Sequence, residues 1–442
     1  MASFDQIPVA TDWGSALATI DTSSGSSTYG QVTALTLTNP GAGYATTPTV
    51  TINGGSGSGA TGTVTVDLDA TSPFYGKVTG ITLTSGGSGY TFAPAVTLGT
   101  AVTLTAGGSM SFNSSPYQIP GAMVIQAASV DNPTLVSLNL PTGGLAVGSG
   151  YSSFVTSGSI VVGNTIQSGG YLNMTSETLN WDGANIISAV QAVQLQPYRT
   201  GNQFTQGPSL SIDLAGPLPG DYGVTAVQLE ALDVPGGMVI VGNSKSTGGI
   251  NIGATGAVNL SGVNYSLGLA GLSGGVNFYN NLTLPAGSSF DLNTGSSAVN
   301  GFSPILDISI PNGTLSFSSS GGVGSLGQPL NTNVGYFGAS TITGPVYLDN
   351  STSATDTVIT GSFTVSGTNS DFNLISGGGI TANSAVTVGG QSFFTIGSGG
   401  TPDFIANNSS NGFSGLVTLA GPLGNVTINN SGMTLTLAGM IL

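Results

Sequence analysis

The sequence contains no cysteine and no histidine, and its cationic side chains are only Lys77, Arg199 and Lys245. Without cysteine, no disulfide framework and no thiolate metal site can form. Without histidine, the usual proton shuttle and the commonest metal ligand are missing, which excludes Ser-His-Asp and Cys-His catalysis. A Ser-Lys arrangement would have to use Lys77 or Lys245, and neither lies in a recognisable motif. No Gly-rich stretch runs into Gly-Lys-Ser/Thr, so a phosphate-cradling loop is missing too.

Charge is scarce altogether. Asp, Glu, Lys and Arg make up 5% of the 442 residues, against about 25% in an ordinary soluble domain. The formal net charge is −15, and no cation follows Lys245. A nucleic-acid ligand or an anionic membrane surface would find almost no Lys or Arg to bind. No apolar run approaches the ~18 residues of a membrane helix, so no membrane span is expected. The start, Met1 to Pro8, lacks a basic segment leading into an apolar core and does not read as a secretory signal. The expectation is export by a route that keeps the N-terminus, or release by lysis, as for a phage structural protein.

What the chain has in quantity is glycine (72) and proline (21), set among Thr, Val, Ser and Asn. Glycine and β-branched residues are poor helix formers and proline interrupts helices, so short strands joined by turns are expected. Alternation supports this. In Thr63 to Asp69, Val64, Val66 and Leu68 share one face, and Thr63, Thr65, Asp67 and Asp69 the other. The fold class expected is all-β and multi-domain.

Residues 1–108 form a first region with two short β repeats. Aligning Val32–Thr38 with Val78–Thr84 gives an offset of 78 − 32 = 46 residues, which places Tyr44 on Tyr90, Pro48 on Pro94 and Val50 on Val96. Each unit reads as strand, Gly-rich turn, Tyr, Pro, strand, the Tyr ring covering the turn and the Pro fixing the start of the next strand. Residues 109–245 carry longer mixed segments and suggest a β-sandwich or jelly roll, with a short helix over Ile186 to Gln196 as the alternative there. The tetrapeptide Ala192-Val193-Gln194-Leu195 returns as Ala226-Val227-Gln228-Leu229. Residues 246–442 return to strands of four to six residues between Gly, Asn and Ser turns. A β-solenoid suits that spacing; without a strict period, a second sandwich or an intertwined trimeric fibre stays open. The apolar end, Met433 to Leu442, is expected to pack within its domain or against a neighbouring subunit.

The two units at Asn39–Ile52 and Ser85–Leu98 resemble the "GGSGYTSAPTVTI" type of repeat found in phage virion proteins, notably tail and fibre-like proteins, and in large bacterial surface proteins. The resemblance covers about residues 32–100. It implies a structural protein of a virion, or else of a bacterial surface, and carries no catalytic or binding residue with it.

Paired carboxylates are the hydrolytic chemistry that the composition leaves open, as in a glycan-degrading tailspike. The candidate pairs are Asp67 with Asp69 and Glu230 with Asp233, and the bland reading of each as a solvated or turn-flanking pair is preferred. No catalytic residue and no cofactor-binding residue is assigned. Asp67 and Asp69 can offer two oxygens to calcium, but neither an EF-hand loop nor a calcium-binding nonapeptide is present, so no metal site is assigned. The Asn-X-Ser/Thr triplets at Asn173, Asn281, Asn312 and Asn350 are as expected by chance in this composition. The expected function is therefore a non-enzymatic virion component, a fibre, tail-associated or capsid-decorating protein. Its expected partners are further copies of itself, as a trimer, other virion proteins and a host surface glycan. Edge strands with almost no lysine to guard them argue for assembly. The alternative is an extracellular surface-layer, adhesin or filament subunit.

Overall fold

A computed structural model describes residues 14–442 except 24–25, 42–43, 45–46, 100–101, 120–121, 128–135, 149, 182–186, 199–209, 214–221, 247–248, 273, 354, 368, 400–401, 432–433 and 442. Met1 to Pro8, Arg199 and Met433 therefore lie outside the described residues. Nearly all regular structure is β, with one short helix, Ala226–Glu230, among the described residues. The chain divides into two compact units, Met1–Tyr198 with Ala231–Val239, and Arg199–Glu230 with Ile240–Leu442.

The first unit opens with six strands: β1 (Ser15–Ile20), β2 (Val32–Asn39), β3 (Val50–Asn53), β4 (Ser58–Val66), β5 (Val78–Ser88) and β6 (Ala95–Leu98). The hairpins β1–β2 and β4–β5 are the same element 46 residues apart. Their loops match bond for bond: the Asp21 amide donates to the Gln31 carbonyl as Asp67 does to Lys77, and Gly30 donates to Asp21 as Gly76 does to Asp67. β3 and β6 pair antiparallel with Thr51 opposite Thr97. Those two residues are equivalents (97 − 51 = 46), so a local two-fold axis passes between them. The tyrosines sit across this symmetry. The Tyr44 amide donates to the Gly76 carbonyl of the second loop, and the Tyr90 amide to the Gly30 carbonyl of the first. Each tyrosine hydroxyl accepts an amide at the head of its own repeat, Gly14 at 3.0 Å and Ala60 at 3.2 Å. Tyr90 is buried, with Val32, Val78, Val96 and Leu98 around it. The Gly86–Ser88 stretch, expected as a turn, instead prolongs strand β5.

From Val102 the unit becomes a parallel β-solenoid. Val102–Ala106, Met123–Ala127, Tyr151–Thr156, Tyr171–Ser176 and Ala192–Pro197 stack as one ladder. Two further parallel ladders form the other faces, one through Met110–Ser111, Leu138–Asn139, Ser159–Val161 and Thr178–Asn180, and one through Tyr117–Ile119, Leu145–Val147, Ile166–Ser168, Ile187–Ala189 and Leu232–Asp233. Ile125, Phe154, Met174 and Leu195 fall in register down the inside, all fully buried. These parallel ladders stand where a sandwich or jelly roll was expected. Alternation of apolar and polar residues is the same in parallel and antiparallel strands, so it could not distinguish the two. The helix considered over Ile186 to Gln196 is likewise strand, Ile187–Ala189 and Ala192–Pro197, in its described part.

The chain's solenoid turns number about 12, and the second unit is likewise a parallel β-solenoid. Its first ladder runs through Ile250–Ile252, Val276–Phe278, Val299–Gly301, a bridge at Val323, Val346–Asn350, Phe372–Ser376, Ser392–Thr395, Leu416–Ala420 and Thr436–Ile441. Successive rungs are offset by 20 (392 − 372) to 26 (276 − 250) residues, so the irregular rung length hides the period from inspection of the sequence. The core is aliphatic with a run of phenylalanines in ring contact, Phe337–Phe363–Phe372–Phe394–Phe404. The last strand, Thr436–Ile441, pairs with Leu416–Ala420, but the expected packing of this apolar end is not seen in its described side chains: Leu437 is 48% exposed, and Thr434, Thr436 and Ala438 are exposed too.

Candidate functional site

The acidic residues were the sequence's one route to hydrolysis, and in the second unit four of them are occupied in joining rung to rung. Asp307, Asp356, Asp371 and Asp403 each stand one residue before a strand segment of the solenoid. Each carboxylate accepts the backbone N–H at the equivalent corner of the following rung: Asn331 at 2.8 Å, Gly379 at 2.8 Å, Gln391 at 2.8 Å and Asn425 at 2.7 Å. A carboxylate at that corner satisfies an amide that would otherwise lack a partner, and charge assistance makes the bond a strong one. Sequence reading missed this set, although an Asp directly before a triplet with apolar first and third residues, as in Asp371-Phe372-Asn373-Leu374 and Asp403-Phe404-Ile405-Ala406, was its visible signal.

The paired-carboxylate candidates take other places. Asp67 and Asp69 lie beyond the end of β4, in the β4–β5 loop rather than on a strand face. Asp67 accepts the Asp69 amide and the Ser72 hydroxyl; Asp69 accepts the amide and hydroxyl of Thr71, which hold its carboxyl below the usual range. Their oxygens are engaged in turn geometry, and among the described residues no cluster of three or more acidic side chains could hold a metal ion. Glu230 ends the short helix and Asp233 lies in the strand Leu232–Asp233, both exposed. Lys77 is half-buried in the loop that ends at β5, and Lys245 lies in the strand Met238–Ser246. Of the Asn-X-Ser/Thr positions, Asn173 and Asn350 are buried and hydrogen-bonded, so neither is open to glycosylation.

One corner of the second unit stands out from the polar surface around it. Along the outward side of the first ladder, Asn251, Asn277 and Asn300 lie in register and pass a hydrogen bond from rung to rung: Asn277 Nδ2 to Asn251 Oδ1 at 3.2 Å, and Asn300 Nδ2 to Asn277 Oδ1 at 3.0 Å. Two residues further on come Tyr279 and Phe302, stacked with centroids 5.4 Å apart and planes 18° apart, yet 43% and 44% exposed. Beyond Phe302, the loop to Asp307 lifts Ile305 into solvent, 77% exposed.

That loop is pinned from below. Asp307 is fully buried; its Oδ1 accepts the Ser303 amide at 3.0 Å and its Oδ2 the Asn331 amide, while Asn331 Nδ2 donates to the Ser303 carbonyl at 3.2 Å. Burial pushes the Asp307 carboxyl up to about 6, against the opposing pull of the backbone donors. A Cβ on Gly301 would run into this carboxylate, so glycine is required there for steric reasons. Because both of its oxygens are engaged and none of its surface is exposed, Asp307 holds the loop rather than meeting a substrate. The corner presents a row of amides beside a row of aromatic rings on a rigid support, an arrangement suited to binding and offering no nucleophile. Comparison with protein-family models, with curated proteins and with solved structures finds no match to this chain.

Proposed function

We propose that this chain is a non-enzymatic structural protein of a virion, a fibre, tail-associated or capsid-decorating component that assembles as a homo-oligomeric trimer and meets the host surface. The observation that carries the reading is the use of carboxylates in the second unit. Four of them are bonded to backbone amides of the next rung, which leaves a stacked solenoid whose polar chemistry serves its own cohesion. Scarce charge, few sites for trypsin-like proteases and the repeats of residues 32–100 fit a particle exposed to the environment. A glycan-degrading tailspike fits less well: of the two carboxyls that burial raises among the described residues, Asp307 has no exposed surface and Asp291 is held by the Ser316 hydroxyl.

The test is immunogold electron microscopy with antibody to the purified chain. Labelling of virions at one structural location is the expected result. Labelling confined to a bacterial envelope would replace this reading with that of a surface-layer, adhesin or filament subunit, which the composition suits equally. A stable trimer by mass measurement in solution is expected on the first reading, and sheets that need calcium on the second.

A further inference from the structure

The corner at Tyr279 and Phe302 has a chemistry of its own, and it deepens the proposal of host-surface contact, on which it rests. We infer that this corner is a binding site for an uncharged glycan chain, which lies along the rungs with its apolar ring faces against Tyr279 and Phe302 and its hydroxyls against Asn251, Asn277 and Asn300.

Three observations carry it. The first is the two rows themselves. Asn277 and Tyr279, and Asn300 and Phe302, are two residues apart, and the Tyr279 and Phe302 amides carry the ladder bonding one residue past their strands, so each pair projects from the same outward side. The rows run side by side across successive rungs, aromatic next to amide. A saccharide presents the same two characters, C–H faces and hydroxyls, whereas an apolar helix or strand laid here would bury the amide N–H groups that the rung-to-rung bonds leave over, at a cost. The second is rigidity. The Asp307 and Asn331 bonds fix the loop behind Phe302, and the ring-on-ring contact fixes Tyr279, so little side-chain freedom remains to be lost when a ligand binds.

The third is charge, which selects among glycans. From residue 246 onward every ionisable side chain other than tyrosine is acidic, and the whole chain carries −15. A uronate-rich, sulfated or sialylated chain would meet no cation here and would be repelled. An uncharged polysaccharide meets no such barrier.

Affinity electrophoresis of the full-length protein in native gels tests the site, with dextran, yeast mannan and arabinogalactan as neutral probes and alginate as the anionic one. The expected result is retardation by at least one neutral polysaccharide and none by alginate. In the double variant Tyr279→Ala/Phe302→Ala the dissociation constant for that polysaccharide should rise at least tenfold, and in Asn277→Ala severalfold. Both rings are exposed, so the variants should keep the wild-type melting temperature; the single, milder Tyr279→Ser serves if the double variant melts early. Retardation by none of the neutral probes, stronger retardation by alginate, or equal retardation of wild type and ring variants would overturn the inference. These outcomes separate from those of the labelling experiment. Virion labelling without glycan binding leaves the structural role standing and removes this site, and ring-dependent glycan binding by a protein missing from virions does the reverse.

Discussion

Single residues in this chain are chosen for what their polar atoms join. The tyrosine pair of the N-terminal repeats makes the point: Tyr44 and Tyr90 were legible as ring covers for glycine turns, but not as acceptors, because the amides they bond, Gly14 and Ala60, lie 30 residues away in sequence. Removing the Tyr90 hydroxyl leaves the buried Ala60 N–H without its acceptor, and an unsatisfied buried donor costs about 1–3 kcal/mol. Tyr90→Phe should therefore lower the urea midpoint of the first unit, and Tyr44→Phe, in the less buried copy, should lower it less. Asp307 gives a second test at this scale. Its carboxyl is raised to about 6 from an ordinary 3.8. The folded state thus holds a proton that the unfolded state releases between those values, and linkage makes stability fall as pH rises across that interval and level off above it. Urea unfolding from pH 4 to 7 should show the second unit more stable at pH 4.5 than at pH 6.5. Asp307→Asn, which keeps the shape and cannot ionise, should flatten that part of the profile.

At the scale of elements, the same four residues take two structures. Ala192-Val193-Gln194-Leu195 is strand and Ala226-Val227-Gln228-Leu229 is helix. The difference lies just before them. Thr225 precedes the second copy, its hydroxyl accepting the Gln228 amide at 3.1 Å while Gln228 Oε1 accepts the Thr225 amide at 3.0 Å. That reciprocal cap satisfies two amides that a helix start leaves open, and Gln191, preceding the first copy, offers no such cap. The Thr-x-x-Gln signal was present in the sequence; what hid it was a surrounding composition that argues for strands everywhere. Thr225→Val should cost about 1 kcal/mol, read as a lower melting temperature. The rung-linking carboxylates follow the same logic between elements. Asp371→Ala and Asp403→Ala each remove the acceptor of an amide on the next rung; water can reach these exposed corners, so each should cost about 0.5–1.5 kcal/mol in urea unfolding. Asp349→Ala removes only a local bond to the Ser351 amide, and should cost distinctly less.

At the scale of the whole molecule, the all-β class was legible because glycine, proline and β-branched residues leave no other choice, while the direction of strand pairing was not. Rung offsets, 20 to 26 residues along the first ladder of the second unit, show no fixed repeat, because the corners between strands absorb insertions freely. The pairing also changes how the nearly lysine-free edges are protected: within each ladder, every strand between the first and the last is bonded on both sides by the same chain, so edge burial does not by itself demand a partner. Trypsin offers a direct reading of this cohesion, since it can cut only after Lys77, Arg199 or Lys245. Lys77 is half-buried, its amide donates to the Phe74 carbonyl at 3.0 Å, and its carbonyl accepts the Asp67 amide at 2.9 Å. A protease needs an extended, unpaired backbone, so cutting there requires the loop between β4 and β5 to open. Under native conditions the fragment ending at Lys77 should be missing from a tryptic digest by mass spectrometry, and it should appear once urea unfolds the N-terminal repeats. Its appearance in native buffer would mean that the paired hairpins open far below the unfolding transition, against the bonding described for both copies.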